Sequence, residues 1–445
     1  MTTHTRELST GARWWVLSAS FLGWMFAGLE ISLFVLIVRP AMRDLVPSAD
    51  EADIGRWFAW FQCAFLLGAA AGGWLFGWLG DRIGRSRSMA ASILCYSLVT
   101  GASYLVHDPM ALLVLRFIAC LGVGGVWPNA VSLAVEALPN VSKPLMAGLM
   151  GAAANVGFVL LGLLGYFFAI TPESWRWTLL VGASPAALGV LTWFWLPESP
   201  RWLAGRDAQA GKPEATPMRD ILRPPLLQRT IIGICLGAIP VIGTSANANW
   251  LVPWADQVAA AGTNVAPTSE SNPSLAGPSA PAPKKRVDDP HLKAVTQITR
   301  SGGAIFGSLL GGWIASLLGR RITYFLISLI SLALSSFIYG FLNPQDKLLF
   351  TTFTFLFGVV GVTYFGWLPL YLPELFPTRV RSTGTGVTFN SGRILAAVSV
   401  LGAGGLMQLF GGDYARVGTF TGLVYALGMV VVCFAPDTTR EPVED

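Results

Sequence analysis

Apolar and polar positions in this chain alternate in long blocks rather than with the short periods of a soluble protein. Runs with few or no charges lie at Trp14–Val38, Trp57–Leu79, Met89–Val106, Met110–Leu138, Leu145–Ile170, Trp177–Leu196, Thr230–Trp254, Ala294–Leu318, Ile322–Leu342, Leu348–Leu372, Gly384–Phe410 and Val417–Ala435. At 1.5 Å per residue, a helix of roughly 20 residues crosses a hydrocarbon core of roughly 30 Å. Lipid offers the backbone no hydrogen-bond partner, so the pattern predicts an all-α membrane protein of about twelve transmembrane helices. The glycine-rich runs are candidates for breaks or kinks.

Composition agrees. Charged residues make up 12% of the chain, against roughly 25% in ordinary soluble domains. Apolar residues reach 53%, with 17 tryptophans, more than a soluble core of this length could hide. The first run follows a short polar arm, is longer than a signal-peptide core and lacks a small-residue cleavage pattern, so it reads as a retained span. The five cysteines (Cys63, Cys95, Cys120, Cys235, Cys433) sit in apolar runs and form no CxxC, which implies neither a disulfide nor a metal framework.

The net charge of +5 follows from where the Lys and Arg lie, and no exposed aromatic-basic surface suggests nucleic acid. Arg82, Arg85 and Arg87, then Lys143, Arg201, Arg206, Arg320, Arg321, Arg379 and Arg381 all fall on one side of the predicted membrane. The excess of basic residues assigns that side to the cytoplasm, with both termini inside and His107 and Asp108 outside.

The chain reads as two copies of one half. WLGDRIGRSR at Trp78–Arg87 returns as WIASLLGRR at Trp313–Arg321, so that Gly84 answers Gly319 and Arg85 answers Arg320. Glu136-Ala-Leu-Pro139 answers Glu374-Leu-Phe-Pro377, and Pro197-Glu-Ser-Pro-Arg201 answers Pro436-Asp-Thr-Thr-Arg440, at nearly the same separation. This divides the chain into a six-helix bundle at 1–196, a basic linker at 197–228 and a second six-helix bundle at 229–445. A Pro-, Ala- and Ser-rich insert at 256–290 cannot bury a core and is expected to be disordered. Parallel repeats of this kind place a cavity between the halves and serve alternating access.

At these residues the chain resembles the major facilitator superfamily. The GDRIGR loop (Gly80–Arg85), PESPRW (Pro197–Trp202) and PELFPTRVRSTGTG (Pro373–Gly386) are similar to its sugar-porter and metabolite–proton symporter branches. Arg116 with Gly122, Gly124, Gly125, Trp127, Pro128 and Glu136, and Asn390-Ser-Gly-Arg393, resemble the branch that carries aromatic acids, sialic acid and other organic anions. Two positions depart: Val126 stands where that branch often carries an acid, and Ser316 and Leu317 stand where the first loop has Asp81 and Arg82.

Charges inside the spans carry the chemistry. Glu30, Arg116, Arg300 and Arg393 each cost at least about 2.5–3.5 kcal/mol at mid-membrane, so each should face a cavity or a partner. Glu30 and Arg116 lie at similar depth, as a proton-coupling pair or as an ion pair that only locks helix packing. Arg393, beside Asn390, can hold a carboxylate bidentately at any accessible pH, and the resemblance implies substrate contact there. Arg300 lies nearer the outer face, where snorkelling is an alternative. Gln62, Asn129, Asn155, Tyr364 and Trp367 complete the candidate substrate pocket, although each could equally be a packing contact. Asp81, Arg85, Glu136, Glu198, Arg201, Arg320, Glu374, Arg379 and Arg381 form a candidate cytoplasmic gate, which the resemblance implies closes when the cavity opens outward.

The reading is a secondary active transporter of a small organic anion (a carboxylate, aromatic acid or acidic sugar) working by proton symport. Its alternatives are a neutral-sugar porter or proton-independent facilitator and, more remotely, a membrane sensor. An enzyme is not expected: His4, His107 and His291 lie in the arm or loops, and there is no GxSxG. No cofactor or metal is expected. The expected setting is a monomer in a bacterial inner membrane, exchanging substrate and protons.

Overall fold

The computed structural model describes residues 8–137, 143–200, 202–203, 217–263, 291–377 and 380–438, which are helical almost throughout. Twelve helical segments are long and apolar enough to cross a membrane, and the chain is a multi-pass membrane protein. The first half runs through α1 (Thr10–Leu45), α2 (Glu51–Ile83), α3 (Arg85–Ala102), α4 (Pro109–Ala137), α5 (Lys143–Phe167), α6 (Trp177–Ala183) and α7 (Ala186–Trp195). The short α8 (Pro217–Ile221) precedes the second half: α9 (Leu226–Ile242), α10 (Leu251–Thr263), α11 (Leu292–Leu318), α12 (Arg320–Phe341), α13 (Lys347–Glu374), α14 (Arg381–Leu409), α15 (Tyr414–Thr421) and α16 (Val424–Cys433).

The internal repeat is written in the backbone. Gly84 and Gly319, equivalent in sequence, adopt nearly the same conformation, φ 107° ψ 153° and φ 86° ψ 162°. A side chain rarely tolerates positive φ, and here the glycine lets the chain reverse and start the next helix at once. The sixth and twelfth crossings are each interrupted near mid-length, between α6 and α7 at Ser184-Pro185 and between α15 and α16 at Gly422-Leu423. Bulky apolar side chains such as Phe341, Leu348 and Phe194 point outward, where lipid replaces water as the solvent.

The seventh crossing departs from the sequence reading in two ways. After α9 the chain winds into a π turn at Gly243–Asn247 and a 3₁₀ turn at Ala248–Trp250 before continuing as α10. The Tyr339 hydroxyl donates to the Asn247 carbonyl at the break at 2.7 Å, and the Asn247 side chain ties the break to α15 by donating Nδ2 to the Gly418 carbonyl at 2.7 Å. The helix then runs to Thr263, so Asp256 belongs to a membrane span and not to the start of the 256–290 insert. Its charge marked it as a loop residue, but partners described below neutralise it. Positions 264–290 lie outside the described residues.

Small residues set the contacts between helices. A Cβ on Gly28 would run into the Ala154 backbone, and one on Gly157 into Met25, so α1 and α5 pack almost backbone to backbone. Between the halves, α2 lies along α14 and α5 along α11: Gly55 meets Met407, Gly73 meets Asn390, Gly148 meets Leu309 and Gly162 meets Ile298.

Candidate functional site

Within the first half, Glu30 and Arg116 form a sealed pair. Arg116 Nη1 donates to Glu30 Oε1 at 2.8 Å and to the Glu30 carbonyl at 3.1 Å. The Thr100 hydroxyl donates to the same carboxylate oxygen at 2.9 Å. Both charged side chains are essentially inaccessible to solvent, and the guanidinium lies 4.3 Å from the centre of the Phe34 ring. The other carboxylate oxygen, Oε2, is buried and has no hydrogen-bond partner among the described residues. The carboxylate thus has one oxygen held by two donors and one left without a donor.

The remaining membrane arginines differ. Arg393, half-buried on α14, donates Nη1 to the Ala69 carbonyl of α2 at 3.2 Å and to Asn390 Oδ1 at 3.4 Å, crossing the seam between the halves. Arg300 on α11 is buried rather than snorkelling, with its guanidinium 5.7 Å from the Phe158 ring of α5.

The uncharged pocket candidates separate into seam and packing residues. Asn155 reaches across from α5 to Ser308 Oγ on α11 at 3.4 Å, and Asn390 lies against Gly73. Gln62 is buried on α2 with its Oε1 unpartnered among the described residues. Asn129, in contrast, ties α4 to α2 and α3 by donating to the Phe76 carbonyl at 3.0 Å and Ser88 Oγ at 3.1 Å. Tyr364 bonds Ser328 Oγ at 2.7 Å, and Trp367 donates to the Arg320 carbonyl at 2.9 Å. Both of these aromatics pack on Tyr324 inside the second half, where they hold helices together.

Two of the loop acids have described partners, Glu198 at the start of α3 and Glu374 within the second half. Glu198 accepts from the backbone N–H of Arg85 at 2.9 Å and of Ser86 at 3.1 Å, capping the start of α3, where an anion complements the helix dipole. Glu374 accepts from Arg320 Nε at 3.1 Å and Nη2 at 2.8 Å, a two-pronged grip, and from the Thr438 hydroxyl at 2.6 Å. Arg201 and Arg379 lie outside the described residues, as do the side chains of Asp81, Glu136 and Arg381.

The opposite end of the molecule holds a cluster that the sequence reading missed. Asp256 on α10 bridges Arg39 of α1 at 3.2 Å and Lys293 of α11 at 3.1 Å. Arg39 also grips Glu51 with Nε at 3.3 Å and Nη2 at 2.7 Å, and Lys293 donates to the Ile170 carbonyl at 2.8 Å. Gln257 adds a bond to the Gly412 carbonyl at 3.1 Å. The Arg39–Asp256 and Lys293–Ile170 bonds join the halves. Each charge sits at the edge of an apolar run, where it is indistinguishable from a loop charge until the pairing is seen.

Comparisons with known proteins agree with this architecture. Residues 11–263 match the family model described as Major Facilitator Superfamily, and residues 293–445 match Sugar (and other) transporter. The chain is 26% identical over 427 residues to the cis,cis-muconate transport protein of Acinetobacter baylyi, covering 95% of this chain and 94% of that one. It is 31% identical over 201 residues to the gallate transporter of Pseudomonas putida, covering 45% and 43%. The xylose transporter XylE of E. coli, solved in a partially occluded inward open conformation, superposes with a TM-score of 0.70 at 15% identity, covering 97% of this chain and 100% of that one.

Proposed function

Because the chain belongs to the major facilitator superfamily, whose members here are transporters and not enzymes, we propose that it moves a small organic anion by alternating access, coupled to protons. The Glu30–Arg116 pair carries the coupling reading. A carboxylate sealed in the first half, held on one oxygen by Arg116 and Thr100 and free on the other, is built to exist in two protonation states. Protonation of Oε2 would weaken the hold on Arg116 and loosen α1 against α4.

An anionic cargo is supported by the cationic side chains at the seam and by the substrates for which two relatives are named, muconate and gallate, both carboxylates. The match of the second half to a sugar-transporter model favours a neutral sugar as the second reading. The basic loop end is assigned to the cytoplasm of a bacterial inner membrane, with both termini inside and the protein acting as a monomer. On that assignment the halves are clasped at the outer end, while Glu198 and Glu374 bind Arg85–Ser86 and Arg320 at the inner end, an arrangement that supports an inward-facing conformation.

The test is uptake into proteoliposomes of carboxylates and sugars, with and without an inward proton gradient, in wild type and Glu30→Gln. Gradient-driven accumulation of a carboxylate that the variant loses while retaining exchange is the expected result. Gradient-independent uptake, equal in both proteins, would sink the coupling role. Uptake of sugars alone would establish the second reading.

A further inference from the structure

Among the described residues, Arg300 stands apart from the other buried cations. Arg116 has Glu30, Arg39 has Glu51 and Asp256, and Lys293 has Asp256. Arg300 is 5% exposed, and its Nε and Nη2 are buried without a hydrogen-bond partner among the described residues. A guanidinium cannot discharge itself by losing its proton, so burying it unpaired is costly and calls for a partner.

Its position follows from the helical period. With 3.6 residues per turn, Lys293, Gln297, Arg300, Ala304 and Ser308 fall on one stripe of α11. On one flank of that stripe Ile298 and Leu309 pack against α5; on the other, Gly303 and Gly307 pack against α13. The stripe therefore faces the seam between the halves. One turn from Arg300, Gln297 donates Nε2 to the Phe158 carbonyl of the first half at 3.1 Å, while its Oε1 has no partner among the described residues.

The two unpartnered nitrogens are informative. Nε and Nη2 form one edge of the guanidinium, and this chain already uses that edge twice to grip a carboxylate: Arg39 holds both oxygens of Glu51, and Arg320 holds both oxygens of Glu374. Arg300 presents the same fork without an acceptor among the described residues. Arg393, in comparison, is engaged with the Ala69 carbonyl and Asn390.

We propose that Arg300 receives the carboxylate of the transported anion on its Nε–Nη2 edge and sets the preference for carboxylates over neutral isosteres. This rests on the reading of the cargo as an organic anion. Substrate binding on this stripe pairs a charge that the empty protein leaves buried, and does so on the helix that also carries Lys293 of the outer clasp.

The test uses full-length protein in nanodiscs and matched acid–amide pairs, benzoate with benzamide and nicotinate with nicotinamide, together with cis,cis-muconate. Binding is read by competition and by ligand-induced thermal stabilisation. Wild type should bind the acids and disregard the amides. Arg300→Gln should bind the acids about 10- to 100-fold more weakly, the range expected for losing a charged hydrogen-bonded contact, and should lose the acid-over-amide preference. Without ligand, its thermal midpoint should equal or exceed wild type, because an unpaired buried charge has been removed; a merely structural arginine would give the opposite shift. Arg300→Lys, which keeps charge without the fork, should lose about 10-fold in preference and decides the matter if the Gln variant does not fold. An acid preference that survives in the folded variants overturns the assignment while anion transport stands. Wild type that binds amides as well as acids, or sugars instead, overturns the anion reading and the assignment with it.

Discussion

Replacing Asp256 with Asn tests whether the buried clasp holds the two halves together. Asp256 is 16% exposed and lies between Arg39 of the first half and Lys293 of the second, at 3.2 and 3.1 Å. Breaking a buried ion pair by removing one partner costs about 3–5 kcal/mol, because the remaining charge stays desolvated. Arg39 keeps Glu51 at 2.7 Å, so the lower end, about 3 kcal/mol, applies. The cost falls on the clasped state, since parting the halves lets water reach Lys293 and Arg39. A shift of that size changes the ratio of clasped to open molecules about 100-fold, taking a population of about 99:1 close to parity. Spin labels at Ser48 and Asn343, one in each half, would read the distance across this end by double electron–electron resonance in a background without the native cysteines. Wild type should give one short distance and Asp256→Asn a second, longer population. An unchanged distribution, with the variant folded and the labels attached, would refute the claim that these bonds hold the halves.

Three further predictions follow from local geometry. Gly84→Ala forces a Cβ onto a residue at φ 107° and into the Glu198 carboxylate, so it should lower the thermal midpoint by a cost of about 1–3 kcal/mol, whereas Gly77→Ala, with open space around it, should leave the midpoint unchanged. Tyr339→Phe strips the Asn247 carbonyl of its donor at the break in the seventh crossing and should cost about 1–3 kcal/mol of stability, measured by thermal unfolding in detergent; a midpoint equal to wild type would mean that another group satisfies that carbonyl. Arg320→Lys cannot reproduce the two-pronged grip on Glu374 and should slow transport without abolishing expression, with unchanged initial uptake rates as the contrary result.

The sequence made the fold readable because lipid imposes one rule on every run: the backbone must bond to itself. The repeat was equally legible at Gly84 and Gly319, where a reversal of the chain needs positive φ and only glycine supplies it cheaply. Glu30 and Arg116 could be paired in advance, since they are charges of opposite sign at matching depth in the first and fourth spans. Polar residues were harder to place. Asn129, Tyr364 and Trp367 have the same chemistry whether they face a cavity or a neighbouring helix, and their rotation about the helix axis is set by tertiary packing. Asp256 was misread for a related reason: a charge beside an apolar run marks a loop unless its counterions, here 217 residues away at Arg39 and nearer at Lys293, arrive in three dimensions.

Each side of the parting line through the Asp256 cluster also keeps an acid of its own. Glu51 lies on the same half as Arg39 and Arg43, and Asp256 on the same half as Lys293. When the halves separate, each lip therefore carries away an acid of its own, Glu51 shared by two arginines on one and Asp256 beside Lys293 on the other. The seam can open by surrendering a few bonds without paying to expose an isolated charge, and no stranded counterion must be found before it shuts. Such a boundary suits a protein that must open and reseal on every cycle, because it resists leakage while closed and leaves little electrostatic debt when it yields.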